Sequence, residues 1–334
     1  AGRDGWAGGR GGWPGRVAGA GGRGGWPGRV AGAGGRGAWP GWVRSGARGR
    51  WPRTSTGGER PVGSLPCVHH PHLELEVAVF ADIDGNTLQY TSVGEGPPVV
   101  LVHGLGGSAN VWHGVGLALA QHHHVIAVDL RGHGRSGGKG EFSVERWAKD
   151  VGKLISHLEL PAVTLVGHSL GTLVAQYLAW KQPELVANLV LVGAISHFTP
   201  ETQQAYRDRA DLVEAEGLDP IVDGWLAGAV SPQTHATMPG GVGLLRELIL
   251  RNDPKNYAKS CRALAKTPTI RRDEIGQPTL LITGAHDRST PMGMTAELHA
   301  QIPVTTVRVV PHVGHWVPVE DPAWLAGALL EWLT

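Results

Sequence analysis

From Leu75 onward the hydrophobic positions follow two different rhythms. Leu75, Val77, Val79 and Ala81 occupy every second place, Asp84-Gly85 interrupts, and Thr87 to Val93 alternates again. Period-two runs joined by Asp-Gly predict an antiparallel pair of strands. Past the turn at Gly94 to Pro98 the apolar runs become continuous, Val99 to Val102, Val125 to Val128, Val163 to Val166 and Leu189 to Val192, and two later strands are expected at Thr279 to Thr283 and Thr306 to Val310. Short unbroken runs suit strands covered on both faces. Helical spacing fills the gaps, through Trp112 and Leu119, then Val144, Trp147, Val151, Leu154 and Ile155 behind the cap Ser143. It returns from Thr172 to Trp180, through Met294 and Leu298, and behind Asp321-Pro322 through Trp324, Leu325, Leu329 and Leu330. Strands alternating with helices predict an α/β architecture, a mostly parallel sheet with helices on both faces.

This rhythm lapses between about residues 196 and 267. Leu212, Val213, Ile221, Val222, Trp225, Leu226, Leu244, Leu245, Leu248 and Ile249 recur at helical spacing, with breaks at Asp219-Pro220, Ser231-Pro232, Pro239-Gly240-Gly241 and Asp253-Pro254. A crossover between parallel strands needs one helix rather than four, so the stretch is expected to be a helical lid over the strand ends.

Composition changes the picture only at the front. The chain of 334 residues has 41% hydrophobic content, enough for a large core in residues 73–334. Residues 1 to 60 carry 11 Arg against Asp4 and Glu59, a net of +9, so the total of +1 conceals an acidic body. A 13-residue Gly/Trp/Arg repeat occupies 11 to 23 and again 24 to 36. Short Gly-rich copies cannot bury a core, and residues 1–72 are expected to be a disordered extension. Arg with interleaved Trp could bind single-stranded nucleic acid, but nothing else in the chain suggests that partner. No apolar run is long enough to span a membrane. Cys67 and Cys261 stand alone, which points to a reducing, cytoplasmic setting. The His69-His70-Pro71-His72 segment lacks acidic or Cys partners and reads as a loop rather than a metal site.

The chemistry sits where the strands end, the place where open α/β sheets bind ligands. Gly167-His168-Ser169-Leu170-Gly171 stops an apolar strand at a serine between two glycines, immediately before a helix. That context is required of a nucleophile elbow, whose serine is held in a strained turn. A serine hydroxyl needs a base, and the base needs an acid to fix its tautomer. Two later strand ends supply them, Asp287 and His315. The candidate oxyanion donors are the backbone N–H groups of Leu170 and of Leu105, in His103-Gly104-Leu105-Gly106-Gly107. Asp129 competes with Asp287, but chain order favours the latter; Asp129 reads as a turn acceptor in Asp129-Leu130-Arg131-Gly132-His133-Gly134. His168 reads as structural, and His312 gives way to His315 because of the Gly314-His315-Trp316 loop.

Together these motifs resemble the α/β-hydrolase superfamily over residues 73 to 334. Within it, the stretches Asp208 to Leu218 and Asn252 to Leu264 are similar to the cap of the 3-oxoadipate enol-lactonases. The resemblance implies a serine hydrolase that opens a small ester or lactone with no metal or cofactor. Gly314-His315-Trp316-Val317-Pro318 is also similar to C–C bond hydrolases of aromatic-ring degradation. A cofactor-free perhydrolase and a ligand receptor on the same scaffold are further alternatives. Haloalkane dehalogenases and epoxide hydrolases share the fold with a carboxylate nucleophile, against which Ser169 argues. An enol-lactone carries a carboxylate, so its pocket should hold a cation. Arg207, Arg209, Lys255, Lys259 and Arg262 lie in the lid; Arg262, with Trp316, is the substrate-binding candidate, although sequence leaves open which cation faces inward.

Overall fold

Strands β1 (Val77–Ile83) and β2 (Asn86–Val93) pair antiparallel, with Ile83 opposite Asn86 across the Asp84-Gly85 turn. Both turn residues have positive φ, 54° and 74°, as a tight two-residue hairpin needs. The computed structural model describes residues 77–334, without the Val77 side chain. The expectations for the 1–72 extension, Cys67, His69 to His72 and Leu75 fall outside the described residues.

The remaining strands are β3 (Pro98–Val102), β4 (His124–Val128), β5 (Val163–His168), β6 (Val186–Val192), β7 (Thr279–Gly284) and β8 (Thr305–Val310). They complete one eight-stranded sheet in the order β1-β2-β4-β3-β5-β6-β7-β8. From β4 through to β8 every neighbouring pair is parallel. The chain steps outward from β3 to β4, then crosses back to set β5 on the other side of β3. That reversal opens a crevice at the carboxyl ends of β3 and β5. β5 and β7 are buried along their whole length, which is why their sequences do not alternate.

Helix α1 spans His113–Leu119, α2 Val144–His157 and α3 Leu170–Lys181. In α2 the Ser143 hydroxyl accepts from the Arg146 N–H at 3.1 Å, capping the helix, and Trp147, Val151, Leu154 and Ile155 form its buried stripe. α3 packs against β5, β6 and α2 and is buried on nearly every side.

Between β6 and β7 stand α4 (Pro200–Glu216), α5 (Asp219–Ala229), α6 (Pro232–Thr237), α7 (Pro239–Leu250) and α8 (Pro254–Leu264). The lid region thus has five helices, where four were expected: the four breaks separate five segments, and α6, at six residues, is too short to show a period. Each of the five carries proline in its first turn, where the missing N–H would have no partner in any case. Side chains of Thr199, Ser231 and Asp253 cap three of them. The chain closes with α9 (Met292–Gln301), the four-residue α10 (Val317–Glu320) and α11 (Pro322–Leu333). Among the described residues no helix is long and apolar enough to cross a membrane.

Candidate functional site

Ser169 follows β5 and caps α3 with φ 52° and ψ −116°, a left-handed conformation that a serine adopts only when its surroundings enforce it. Its glycine neighbours explain the enforcement. A methyl on Gly167 would stand 2.3 Å from the Gly171 carbonyl oxygen, and one on Gly171 would stand 2.3 Å from the Val102 carbonyl oxygen. The Ser169 N–H donates to the Val192 carbonyl at 3.0 Å, while its own carbonyl accepts from the Thr172 N–H and hydroxyl. His168 and Leu170 are fully buried, but Ser169 is only half-buried.

Asp287 and His315 follow β7 and β8. His315 Nδ1 donates to Asp287 Oδ2 at 2.9 Å. Asp287 Oδ1 accepts the backbone N–H groups of Ser289 and Thr290, both at 2.8 Å, and Oδ2 also accepts the Thr290 hydroxyl at 2.7 Å. Burial pushes this carboxyl up, yet the adjacent His315 and the hydrogen bonds from His315 and Thr290 outweigh it and hold it below the usual carboxylate range. His315 rests against Gly193, where an added methyl would come within 3.1 Å of its Nδ1. Gly193 is the residue after the Val192 carbonyl that receives the Ser169 N–H, so the acid, the imidazole and the serine surround one corner of the sheet.

Behind them, His168 donates from Nε2 to the His315 carbonyl at 2.8 Å, with the two rings 4.8 Å apart. Burial, and the neighbouring His315, lower its pKa to about 3, so it is a neutral strut. Asp129 is fully engaged: Oδ1 accepts the Ala109 N–H and Oδ2 the Arg135 N–H, each at 2.7 Å. His312 is exposed.

Leu170 is the first residue of α3, where helical N–H groups have no partner within the helix. Leu105 is a central residue of the turn closed by the Gly107 N–H on the Gly104 carbonyl at 3.0 Å, a bond that does not use its own N–H. Gly106, at φ 73°, takes the position in this turn that needs glycine. A methyl on Gly104 would lie 2.9 Å from Ser169 Cβ, so this turn stands directly beside the serine. His103 fastens it from below, its Nδ1 donating to the Gly104 carbonyl and its Nε2 accepting the Leu130 N–H.

The roof is aromatic. Trp316 is buried, 5.0 Å from His168 and 5.8 Å from Trp225 between ring centroids. The Tyr257 ring lies 3.1 Å from the position of a methyl on Gly106. Half-buried Arg209 stacks over Trp225 at 5.6 Å and Tyr206 at 5.4 Å, with its guanidinium beside the Tyr257 hydroxyl. That hydroxyl and the Trp316 Nε1 are buried without a well-formed hydrogen bond. Arg262 is placed elsewhere: it pairs with Asp211 at 2.7 Å and Glu214 at 2.6 Å on the exposed side of α4, so its candidacy gives way to Arg209. Asp211 and Glu214, one helix turn apart on α4, draw it outward.

Thr290, Gly193 and Tyr257 escaped sequence reasoning. Thr290 left a signal, since Asp-x-Ser-Thr at a helix approach favours side-chain-to-backbone turns. An open hollow of about 340 Å³ lined by Val230, Pro232, His235, His286 and Arg288 contains none of Ser169, Asp287 and His315. Chemistry, not hollow size, marks the site. Among the described residues no group of three or more His, Cys, Asp and Glu converges as a metal site requires.

Residues 97–238 match the family described as alpha/beta hydrolase fold. The chain is similar to 3-oxoadipate enol-lactonase 2 of Acinetobacter baylyi, at 31% identity over 241 residues, covering 70% of this chain and 88% of that protein. It is 26% identical over 256 residues to (E)-2-((N-methylformamido)methylene)succinate hydrolase of the same organism, covering 75% and 95%. Among solved structures, a malate-bound thermophilic esterase from Thermogutta terrifontis matches with a TM-score of 0.72 at 28% identity, over 77% of this chain and 97% of that one.

Proposed function

Because the chain belongs to the α/β-hydrolase fold family, we propose that it is a serine hydrolase of small esters or lactones that carry a carboxylate, with enol-lactones the favoured class. The observation that carries the reading is the Asp287–His315 hydrogen bond of 2.9 Å at the same corner as a strained, half-buried serine. Ser169 attacks the acyl carbon while His315 takes its proton on Nε2, and Asp287 holds Nδ1 protonated and stabilises the cation. The Leu105 and Leu170 N–H groups receive the charge that develops on the carbonyl oxygen. Collapse breaks the bond to the ring or alkoxy oxygen, which takes the proton back from His315. Water, activated by the same imidazole, then releases the acyl group from Ser169.

The roof supports the substrate class. Arg209 is a half-buried cation packed on aromatic faces with the Tyr257 hydroxyl beside it, and that O–H and the N–H of Trp316, whose ring packs against Trp225, are buried donors that lack good acceptors. Burial raises the Tyr257 pKa further above its already basic value, so the hydroxyl remains a donor. A carboxylate is the complement of that set. The names of the two Acinetobacter relatives, an oxoadipate lactonase and a succinate hydrolase, are those of carboxylate chemistry, in accord with this reading.

The test compares 3-oxoadipate enol-lactone with neutral p-nitrophenyl acetate. Ser169→Ala is expected to lower kcat on both by about 10³-fold or more. Arg209→Gln is expected to raise KM for the lactone by about 10- to 100-fold and to leave the neutral ester within about twofold. Turnover of neutral esters alone, indifferent to Arg209→Gln, would leave a general carboxylesterase and remove the carboxylate reading.

A further inference from the structure

The loop that carries His315 hangs on one buried acid from the far end of α10. Glu320, 5% exposed, accepts the Trp316 N–H on Oε1 and the Gly314 N–H on Oε2, both at 2.9 Å. These are the two neighbours of His315. The same Oε2 accepts the Ser231 N–H and the Thr234 hydroxyl, again at 2.9 Å, from the corner between α5 and α6. His315 itself donates its backbone N–H to the carbonyl of Ala229, the last residue of α5, at 2.7 Å. There is no space for a side chain between these segments: a methyl on Gly314 would stand 2.4 Å from the Ala229 oxygen and 2.9 Å from the Ser231 nitrogen.

We propose that Glu320 is a positioning residue whose carboxylate locks the α5–α6 corner of the lid to the His315 loop, so that the lid helps to set where the general base stands. The proposal rests on the reading of Ser169 and His315 as nucleophile and base. Its physical basis is that one carboxylate satisfies four donors, three of them backbone N–H groups, by charge-assisted hydrogen bonds. The fixed points lie on both sides of His315 and on the lid, while Asp287 controls only the ring. A shift of the loop would move Nε2 relative to Ser169 even with the Asp287 bond intact, and displacements of about 1 Å can cost about 10²-fold in rate.

Glu320→Gln keeps the length of the side chain but has only one acceptor oxygen. With that oxygen turned to the three donors that Oε2 serves, two on the lid and the Gly314 N–H, its NH₂ meets the Trp316 N–H, and the loop beyond His315 is released. Thr234→Val removes only the lid's hydroxyl from the cluster. The measurements are Tm, KM, and kcat per active site titrated with a fluorophosphonate, on whichever ester the parent hydrolyses best. A purely structural role would lower Tm and the titratable fraction but not the turnover of each titrated site. Glu320→Gln is expected to lower kcat per site by about tenfold or more with KM within about twofold. Thr234→Val is expected to lower it by about two- to fivefold, and to add little in the Glu320→Gln background because both act through one cluster.

Parental kcat per site in Glu320→Gln overturns the proposal whatever its Tm. If that variant does not fold, parental kcat in Thr234→Val overturns it instead. A parent that hydrolyses no ester removes the nucleophile reading and this proposal together, and that result is seen before any variant is compared.

Discussion

At Asp287 the two carboxylate oxygens have separate partners. Oδ1 is held by two backbone N–H groups, which fix the side chain, and Oδ2 faces the imidazole and the Thr290 hydroxyl. In Asp287→Asn the amide oxygen would stay with the backbone donors and the NH₂ would face His315 Nδ1. The ring would then have to accept there and carry its proton on Nε2, where it cannot take one from Ser169. The expected result is a Tm close to the parent's and a kcat about 10³- to 10⁴-fold lower at neutral pH. A loss below about tenfold would mean that Asp287 does not set the tautomer. That Ser169, Asp287 and His315 lie at one edge of the sheet was legible in the sequence, because each follows a strand and strand ends share that edge. Arg209 and Arg262 could not be told apart in that way. Both lie on lid helices, and what separates them is whether the neighbours are Tyr206, Trp225 and Tyr257 or Asp211 and Glu214. Glu320 was hidden for another reason: its partners are backbone groups and Thr234, 86 residues away, and backbone donors leave no sequence trace.

At the level of elements, the elbow is a close approach between the first turn of α3 and the end of β3. Gly171→Ala would drive a methyl to 2.3 Å from the Val102 carbonyl, so helix or strand must move. Overpacking of this kind costs about 1–3 kcal/mol, or roughly 2–10 °C in Tm for a domain of this size. It would also displace the Leu170 N–H, so the fall in kcat should exceed what the remaining folded fraction explains. Gly224→Ala is the matched control. It lies exposed in α5 with nothing within 4 Å of the added methyl, and should stabilise by about 0.5–1 kcal/mol through helix propensity. Equal Tm changes in the two variants would contradict the account of the elbow. The strands and long helices were legible because period and burial coincide in them. The lid was legible as helical, but not in its count of helices. α6 and α10 have six and four residues, which is one turn or little more, and a single turn has no periodicity to read.

The whole molecule carries a liability to acid beneath the site. Burial lowers the pKa of His103 to about 4 and those of His133 and His168 to about 3. In the unfolded chain a histidine titrates near about 6.5, so between pH 6.5 and 4 the unfolded state binds protons that the native state refuses. Stability therefore rises with pH across that window and falls on acidification, by about 1.4 kcal/mol per pH unit for each such histidine. Asp287, held below the usual carboxylate range, keeps its contribution above about pH 4 and loses it only below. Asp129, which burial raises, gains a proton more readily when folded and works in the opposite sense, but it is one group against three. The loss between pH 6.5 and 4.5 should thus belong to the histidines. His103 links this loss to activity, because its Nε2 must stay unprotonated to accept the Leu130 N–H while Nδ1 supports the turn that presents Leu105. Urea midpoints measured from pH 7.5 to 4.5 should fall steeply below about pH 6.5. His133→Phe, which removes one proton acceptor from a ring packed at 5.1 Å against His103 and 6.2 Å against Trp147, should make that decline shallower. A midpoint that stays level to pH 4.5 would mean that these rings take up protons in place, with solvent reaching a core that the sheet and α3 otherwise close.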